Sequence, residues 1–106
     1  MRDRVWLAFD LSVGGDLAGM YRWLAGRGAR ECGPALATFF YQYQDDLVED
    51  MRRELRRAVR LAPGDRIYLI YKDPHDGEVT GLFLFGRRGG WPHAGLEDPI
   101  RLTPLN

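Results

Sequence analysis

The sequence predicts an α+β fold in which two helices cover one face of an antiparallel sheet. Short apolar runs, separated by glycines and prolines, have the pattern typical of strands. Two further segments repeat their apolar residues at helical spacing. The chain has 106 residues, of which 45% are hydrophobic and 28% are charged. This length and composition favour a single domain with one packed core.

The first strand is predicted at residues 5–9, a short apolar run that we expect at the centre of the sheet. Asp16 follows a pair of glycines and is the expected N-cap of a short helix. The glycines at 26 and 28 are expected to end this helix. The apolar residues that recur at helical spacing in this segment are Leu17, Met20, Tyr21 and Leu24.

A hairpin is predicted after the first helix. Residues 28–32 form a strand candidate of low β propensity. Residues 35–43 have a higher β propensity because they are rich in aromatic side chains. Gly33 and Pro34 lie between these segments and predict the turn.

A second helix is predicted after this hairpin. Asp45 or Asp46 would cap it, and Glu49 stands in the capping-box position relative to Asp46. Pro63 and Gly64 are expected to end it. Its apolar stripe consists of Leu47, Met51, Leu55, Val59 and Ala62.

Two more strands complete the prediction, at residues 67–71 and 79–85, with a loop at 73–77 between them. The order of the first six elements is the split βαβ arrangement, a ferredoxin-like βαββαβ topology, to which the last strand is an addition. Right-handed crossovers between parallel strands place both helices on one face. Residues 1–86 would form this domain, and residues 87–106 a Gly- and Pro-rich C-terminal tail that packs on the domain or on a partner subunit.

The charge and cysteine content restrict the class of protein. Fifteen basic residues balance fifteen acidic ones, so any site for a polyanion must be a local patch. The single cysteine, Cys32, has no partner for a disulfide and no zinc-site spacing around it, which favours the reducing cytoplasm. The apolar run at residues 5–9 is too short for a signal peptide or a membrane span, so we expect no membrane association.

Three short motifs carry a resemblance to a known family. Phe-Asp-Leu-Ser closes the first strand at residues 9–12, Thr-Phe-Phe stands at 38–40, and Asp-Arg-Ile-Tyr stands at 65–68. With the element order and the length, these motifs resemble the small CRISPR adaptation nuclease family and its relatives, virulence-associated protein D and the SinR-like proteins. The similarity covers roughly residues 4–85.

The resemblance implies a homodimer in which Asp10 of each subunit faces its partner and holds Mg or Mn for phosphodiester cleavage. It also implies RNA or DNA as the bound molecule, a protein partner from the same operon, and a role in phage defence or in a toxin–antitoxin system. Members that act in adaptation are also understood to serve as structural dimers that hold nucleic acid. Residues 13–16 depart from the CRISPR members, because Val-Gly-Gly-Asp replaces the usual basic run.

Asp10 is the candidate catalytic residue and metal ligand. A carboxylate at a strand end is rigidly placed, and magnesium prefers oxygen ligands. A symmetric dimer would bring two such carboxylates together. The alternative is that Asp10 only caps the loop at residues 12–15 with side-chain hydrogen bonds.

A group of arginines is the candidate nucleic-acid-binding surface, because the planar guanidinium suits phosphate. The alternative is that the arginines of the second helix form a solvated face. Glu49, Asp50 and Glu54 lie one helical turn from these arginines and neutralise part of their positive charge. The residues predicted to bind nucleic acid are Arg53, Arg57, Arg60, Arg87 and Arg88.

The predicted strands are rich in aromatic residues, but the two helices can cover only one face of the sheet. Some aromatic side chains must therefore point outward, away from the core. Trp6 and Tyr68 are the predicted dimer-interface residues, and stacking on single-stranded bases is the alternative use of such rings. Three hypotheses stand: a metal-dependent nuclease, a non-catalytic dimeric module that binds nucleic acid or protein, and, from the resemblance alone, a regulatory partner in a toxin–antitoxin or phage-defence operon.

Overall fold

The computed structural model of the chain describes residues 1–90. Most of the predicted C-terminal tail, residues 91–106, lies outside the described residues. The helices and strands are β1 (Arg2–Asp10), α1 (Leu17–Gly26), β2 (Arg30–Gly33), β3 (Leu36–Gln42), α2 (Leu47–Ala58), β4 (Arg66–Lys72) and β5 (Val79–Phe85).

The five strands form one sheet in the order β2-β3-β1-β4-β5, and every neighbouring pair is antiparallel. This confirms the predicted α+β fold, a ferredoxin-like sheet with one extra strand at the β4 edge. β1 lies at the centre, as predicted, because its apolar run pairs with β3 on one side and β4 on the other. It begins earlier than predicted, at Arg2, which brings two N-terminal arginines into the sheet.

The core lies between the helices and one face of the sheet. Odd-numbered residues of β1, β3 and β4 point into it, as the period of two in a strand requires. The fully or almost fully buried apolar residues are Val5, Leu7, Phe9, Met20, Trp23, Leu24, Ala37, Phe39, Tyr41, Tyr43, Leu47, Met51, Leu55, Val59, Ile67, Leu69, Tyr71 and Leu84.

α1 buries two of the four apolar residues that recur at helical spacing, Met20 and Leu24. Asp16 caps it as predicted and accepts a hydrogen bond from the amide of Gly19 at 3.0 Å. Leu17 and Tyr21 are 44% and 51% exposed, however, so their expected place in a buried stripe is wrong. Trp23 is buried instead, because its ring packs edge-on against Phe39 with 5.6 Å between centroids.

α2 is capped by Asp46, whose side chain accepts from the amides at 48 and 49. The helix ends at Ala58, well before the predicted stop at Pro63. Val59 is extended and buried, and the next amide, that of Arg60, donates to the side chain of Asp16 at 2.8 Å. The segment that follows α2 therefore contacts the N-terminus of α1. Neither helix within residues 1–90 is long and apolar enough to span a membrane.

Candidate nucleic-acid interface

The second face of the sheet carries the even-numbered side chains of β1, β3 and β4, and we call it the open face. Neither α1 nor α2 packs on it, since both helices cover the odd-numbered side. Two large rings on this face are well exposed, Trp6 at 36% and Phe40 at 45%. Exposed rings on a sheet face that no helix covers are available for contact with a ligand or a partner.

The strand register brings basic and aromatic residues together on the open face. Arg4 pairs with Phe40 across β1 and β3, and Arg30 pairs with Thr38 across β2 and β3. Arg2 lies two residues before Arg4 and therefore on the same side. We call these five residues, Arg2, Arg4, Arg30, Thr38 and Phe40, the basic end of the open face.

Phe40 holds two guanidinium groups in place. The Cζ atoms of Arg2 and Arg4 lie 4.5 and 4.2 Å from the centre of its ring, a cation–π geometry. Arg4 Nη1 also donates to Thr38 Oγ1 at 3.1 Å, and that hydroxyl in turn donates to the carbonyl of Val5 at 2.8 Å. The ring and the hydroxyl together restrict the position of Arg4.

The basic end borders a cavity of about 590 Å³ that no carboxylate lines. Within residues 1–90, no ion pair joins Arg2, Arg4 or Arg30 to an acidic side chain. Arg27 also lines the cavity, but its guanidinium is bonded to Glu54. The basic end is thus a concentration of positive charge in a chain whose net charge is zero.

The five predicted arginines are distributed over three segments: α2, the loop after it and the residues after β5. Arg53 is paired with Asp50 at 2.5 Å. Arg57 borders a cavity of about 380 Å³ that Asp45, Asp50 and Glu54 also line. Carboxylates therefore lie beside Arg53 and Arg57, whereas none lines the cavity at the basic end. The other members of the predicted set, Arg60, Arg87 and Arg88, are exposed.

Asp10 lies at the end of β1, where it faces Arg66 across the β1–β4 pair. Its Oδ2 accepts from Arg66 Nη2 at 2.5 Å and Nε at 3.2 Å, and its side chain is 64% exposed. The alternative that Asp10 caps the following loop is wrong, because Asp65 bonds both the amide and the hydroxyl of Ser12 there. The register opposite Arg66 directs the Asp10 carboxylate away from that loop.

The surroundings of Asp10 are incomplete as a metal site in one copy of the chain. Asp10 belongs to no group of three or more His, Cys, Asp or Glu side chains within residues 1–90 that could hold a metal ion. Its carboxylate is already paired with the guanidinium of Arg66. A divalent cation would need further oxygen ligands from elsewhere. Whether Asp10 holds a metal remains a prediction.

Trp6 and Tyr68 both lie on the open face, which agrees with their predicted outward orientation. The Tyr68 ring packs edge-on against Phe83, with 4.8 Å between centroids. It also lies across Gly81, where a Cβ atom would come within 2.5 Å of the tyrosine oxygen. Tyr68 and Phe83 form what we call the aromatic end of the open face, on β4 and β5, whereas Trp6 lies on β1 between this end and the basic end.

Sequence reasoning missed the basic end because it began the first strand at Val5. A signal was present: Arg2 and Arg4 continue the alternation that places Trp6 outward and Val5 inward.

Comparisons with protein-family models, with curated proteins and with solved structures gave no match.

Proposed function

We propose that the protein is a small cytoplasmic nucleic-acid-associated protein that binds single-stranded RNA or DNA on the open face of its sheet. The basic end carries this proposal, because three guanidiniums without a carboxylate partner within residues 1–90 surround a cavity on an exposed sheet. Arginine forks suit phosphate oxygens, and contacts to phosphate supply most of the affinity in such complexes.

The exposed rings favour a single strand over a duplex. Trp6 pairs with Thr38, whose other neighbour is Arg30, so an aromatic surface adjoins the basic end directly. Unpaired bases stack on such rings, whereas the bases of a duplex are already stacked on each other. When the phosphate of a nucleotide binds the basic end, the base of that nucleotide would lie beside Trp6.

A homodimer is part of the proposal, with the aromatic end as its interface. Tyr68 and Phe83 lie on β4 and β5, whereas the basic end is carried by β1, β2 and β3. A second copy on the aromatic end would bury apolar rings and leave the basic end accessible. Sedimentation equilibrium of the wild type and of Tyr68→Ser tests this: we expect a dimer that the substitution weakens, and a monomeric wild type would contradict it.

Fluorescence anisotropy with labelled oligonucleotides tests the proposed function. Single-stranded RNA, single-stranded DNA and duplex DNA of equal length are titrated at about 50 and about 200 mM salt. We expect the single strands to bind more tightly than the duplex, with a slope of log affinity against log salt near −2 for about three phosphate contacts. Absence of binding at the lower salt concentration would refute the proposal.

A metal-dependent nuclease centred on Asp10 is the second candidate. The observation that favours it is the exposure of this carboxylate at the end of β1, on the same face as the basic end. One copy of the chain offers too few ligands, so the second carboxylate would come from a dimer partner. Cleavage of labelled RNA with magnesium or manganese that disappears in Asp10→Asn would support this function; equal background in both proteins would refute it.

The biological setting rests on the resemblance alone. A place in a phage-defence or toxin–antitoxin system, with a protein partner from the same operon, agrees with a small nucleic-acid-binding dimer. A protein-binding scaffold of the same fold is the alternative, and it predicts that the oligonucleotide titrations show no salt-dependent binding.

A further inference from the structure

We infer that the basic end recognises the terminal phosphomonoester of a nucleic-acid strand. This inference rests on the proposed function and specifies which part of the strand the basic end receives. A phosphodiester within a strand carries one negative charge, whereas a phosphomonoester carries roughly 1.5 to 2 at neutral pH and three strong acceptor oxygens. Three guanidiniums on one cavity match the monoester better than the diester.

The charge balance around the cavity is the first argument. Arg2, Arg4 and Arg30 line it, and no acidic residue does. On α2, by contrast, Arg52 is paired with the carboxylate of Glu49 and Arg53 with that of Asp50. The Phe40 ring holds the guanidiniums of Arg2 and Arg4 instead, and the Thr38 hydroxyl also bonds Arg4, so their positive charge stays uncompensated.

The preorganisation of these guanidiniums is the second argument. Phe40 orients Arg2 and Arg4 before a ligand arrives, and Thr38 takes only one of the Arg4 donors. An arginine has five N–H donors, so most of them stay available to phosphate oxygens. Prior ordering of the side chains reduces the entropy lost on binding.

The shape of the cavity is the third argument. The turn between α1 and β2 bounds it on one side, where Gly28 is among its lining residues. Its volume of about 590 Å³ is within the usual range for a small-molecule site and has room for a phosphate with part of one nucleotide. A strand that meets this turn would end there, with its next base directed along the open face toward Trp6.

Anisotropy titrations of oligonucleotides of one sequence with different ends test the inference. The ends are a 5′-phosphate, a 3′-phosphate and hydroxyls only. We expect one phosphorylated form to bind about tenfold more tightly than the hydroxyl form, the effect of one further charge-assisted contact. Arg4→Ala and Arg30→Ala should abolish this preference, and Arg4→Lys should retain only part of it because lysine lacks the fork.

Arg22→Ala is the matched control, since Arg22 is an exposed arginine of α1 that does not line the cavity, and its loss changes the net charge equally. It should keep the full preference. Equal affinity for all three oligonucleotides would overturn the inference while the proposed function stands, and no binding to any of them would overturn both. Inorganic phosphate that competes as well as the phosphorylated strand at equal concentration would also overturn the inference, because the cavity would then be a site for free phosphate.

Discussion

The side chain of Asp65 is bonded to Ser12, which lies 53 residues earlier in the chain. Asp65 Oδ1 accepts from the amide of Ser12 at 2.6 Å and from its hydroxyl at 2.7 Å, while Oδ2 accepts from the amide of Ala62 at 2.8 Å. Asp65 is only 3% exposed. This carboxylate therefore joins the loop after β1 to the loop before β4.

Replacement of this carboxylate should weaken the fold. Asp65→Asn keeps the size of the side chain, but its amide nitrogen cannot accept the hydrogen bonds that one carboxylate oxygen now accepts. We expect the free energy of unfolding to fall by about 1–3 kcal/mol, the usual result when a buried hydrogen-bonded group loses its partner. Urea denaturation measures this. Asp76→Asn, in an exposed loop, is the control and should stay within about 0.5 kcal/mol of the wild type.

The same carboxylate predicts how stability depends on pH. Burial acts to raise the pKa of Asp65, but the hydrogen bonds from Ser12 and Ala62 outweigh it and lower the pKa below its ordinary value. Its contribution to stability is therefore complete above its unfolded pKa, about 3.9, and is lost as the pH falls through the lower folded pKa.

Urea denaturation of the wild type and Asp65→Asn between about pH 6 and pH 2 checks this sign. Asp16 and Asp50 also have lowered pKa values and titrate in both proteins, so the difference between the proteins isolates Asp65. The difference should narrow as the solution becomes acidic. A constant difference over this range would show that the charge of Asp65 does not contribute.

Glu54 on α2 should stabilise the packing of both helices on the sheet. It accepts from Trp23 Nε1 at 3.3 Å, from Tyr41 Oη at 2.9 Å and from the guanidinium of Arg27. Burial of Tyr41, followed by its hydrogen bond to Glu54, raises the pKa of this phenol well above its usual range. Glu54→Gln places an amide donor against these donors, and we expect a loss of about 1–3 kcal/mol in unfolding free energy.

Two comparisons sharpen this prediction. Tyr41→Phe should cost about 1 kcal/mol, because it removes one donor and leaves Glu54 with two others. Glu49→Gln is the matched control on the same helix: Glu49 pairs with Arg52 but is 60% exposed, so its loss should cost less than about 1 kcal/mol. Equal losses for Glu54→Gln and Glu49→Gln in chemical denaturation would contradict the role given to Glu54.

Gly19 permits the close approach of α1 to the end of α2. An added Cβ atom would lie 2.9 Å from the carbonyl oxygen of Ala58 and would collide with the side chain of Asp16. Gly19→Ala gains up to about 1 kcal/mol of helix propensity, but a clash with a backbone oxygen typically costs about 1–3 kcal/mol. We therefore expect a lower melting temperature.

Gly26→Ala in the same helix is the control for Gly19→Ala. No atom lies within 4 Å of the position its Cβ would take, so propensity should act alone and the melting temperature should rise slightly. If Gly19→Ala also raised the melting temperature, the close contact between α1 and α2 would be wrong.

The order of helices and strands was predictable because local residues mark each boundary. Asp16 and Asp46 cap the two helices as their positions predicted. The end of α2 was not predictable from Pro63, because a tertiary contact ends the helix first: the amide of Arg60 bonds to Asp16, 44 residues away. Glu49 bonds to Arg52 rather than completing a capping box, since a nearby guanidinium attracts its carboxylate.

The candidate site was less predictable because it depends on strand register. Trp6 and Tyr68 could be placed outward from their alternation alone. The contact of Phe40 with Arg2 and Arg4 requires the pairing of β1 with β3, which spacing along the chain does not reveal. The sequence offered a run of arginines on α2 as the more visible basic surface, and the alternative of a solvated face partly neutralised by Asp50 and Glu54 agrees with the carboxylates around Arg57.

The most direct test compares one arginine of the basic end with one of α2. Affinity for a single-stranded oligonucleotide is measured against salt for the wild type, Arg4→Ala and Arg57→Ala, which change the net charge equally. We predict that Arg4→Ala lowers the affinity and reduces the salt slope by about 0.7, the value for one lost phosphate contact, while Arg57→Ala leaves both unchanged. A reduced slope in Arg57→Ala with an unchanged slope in Arg4→Ala would contradict the account and place the nucleic acid on the helical side.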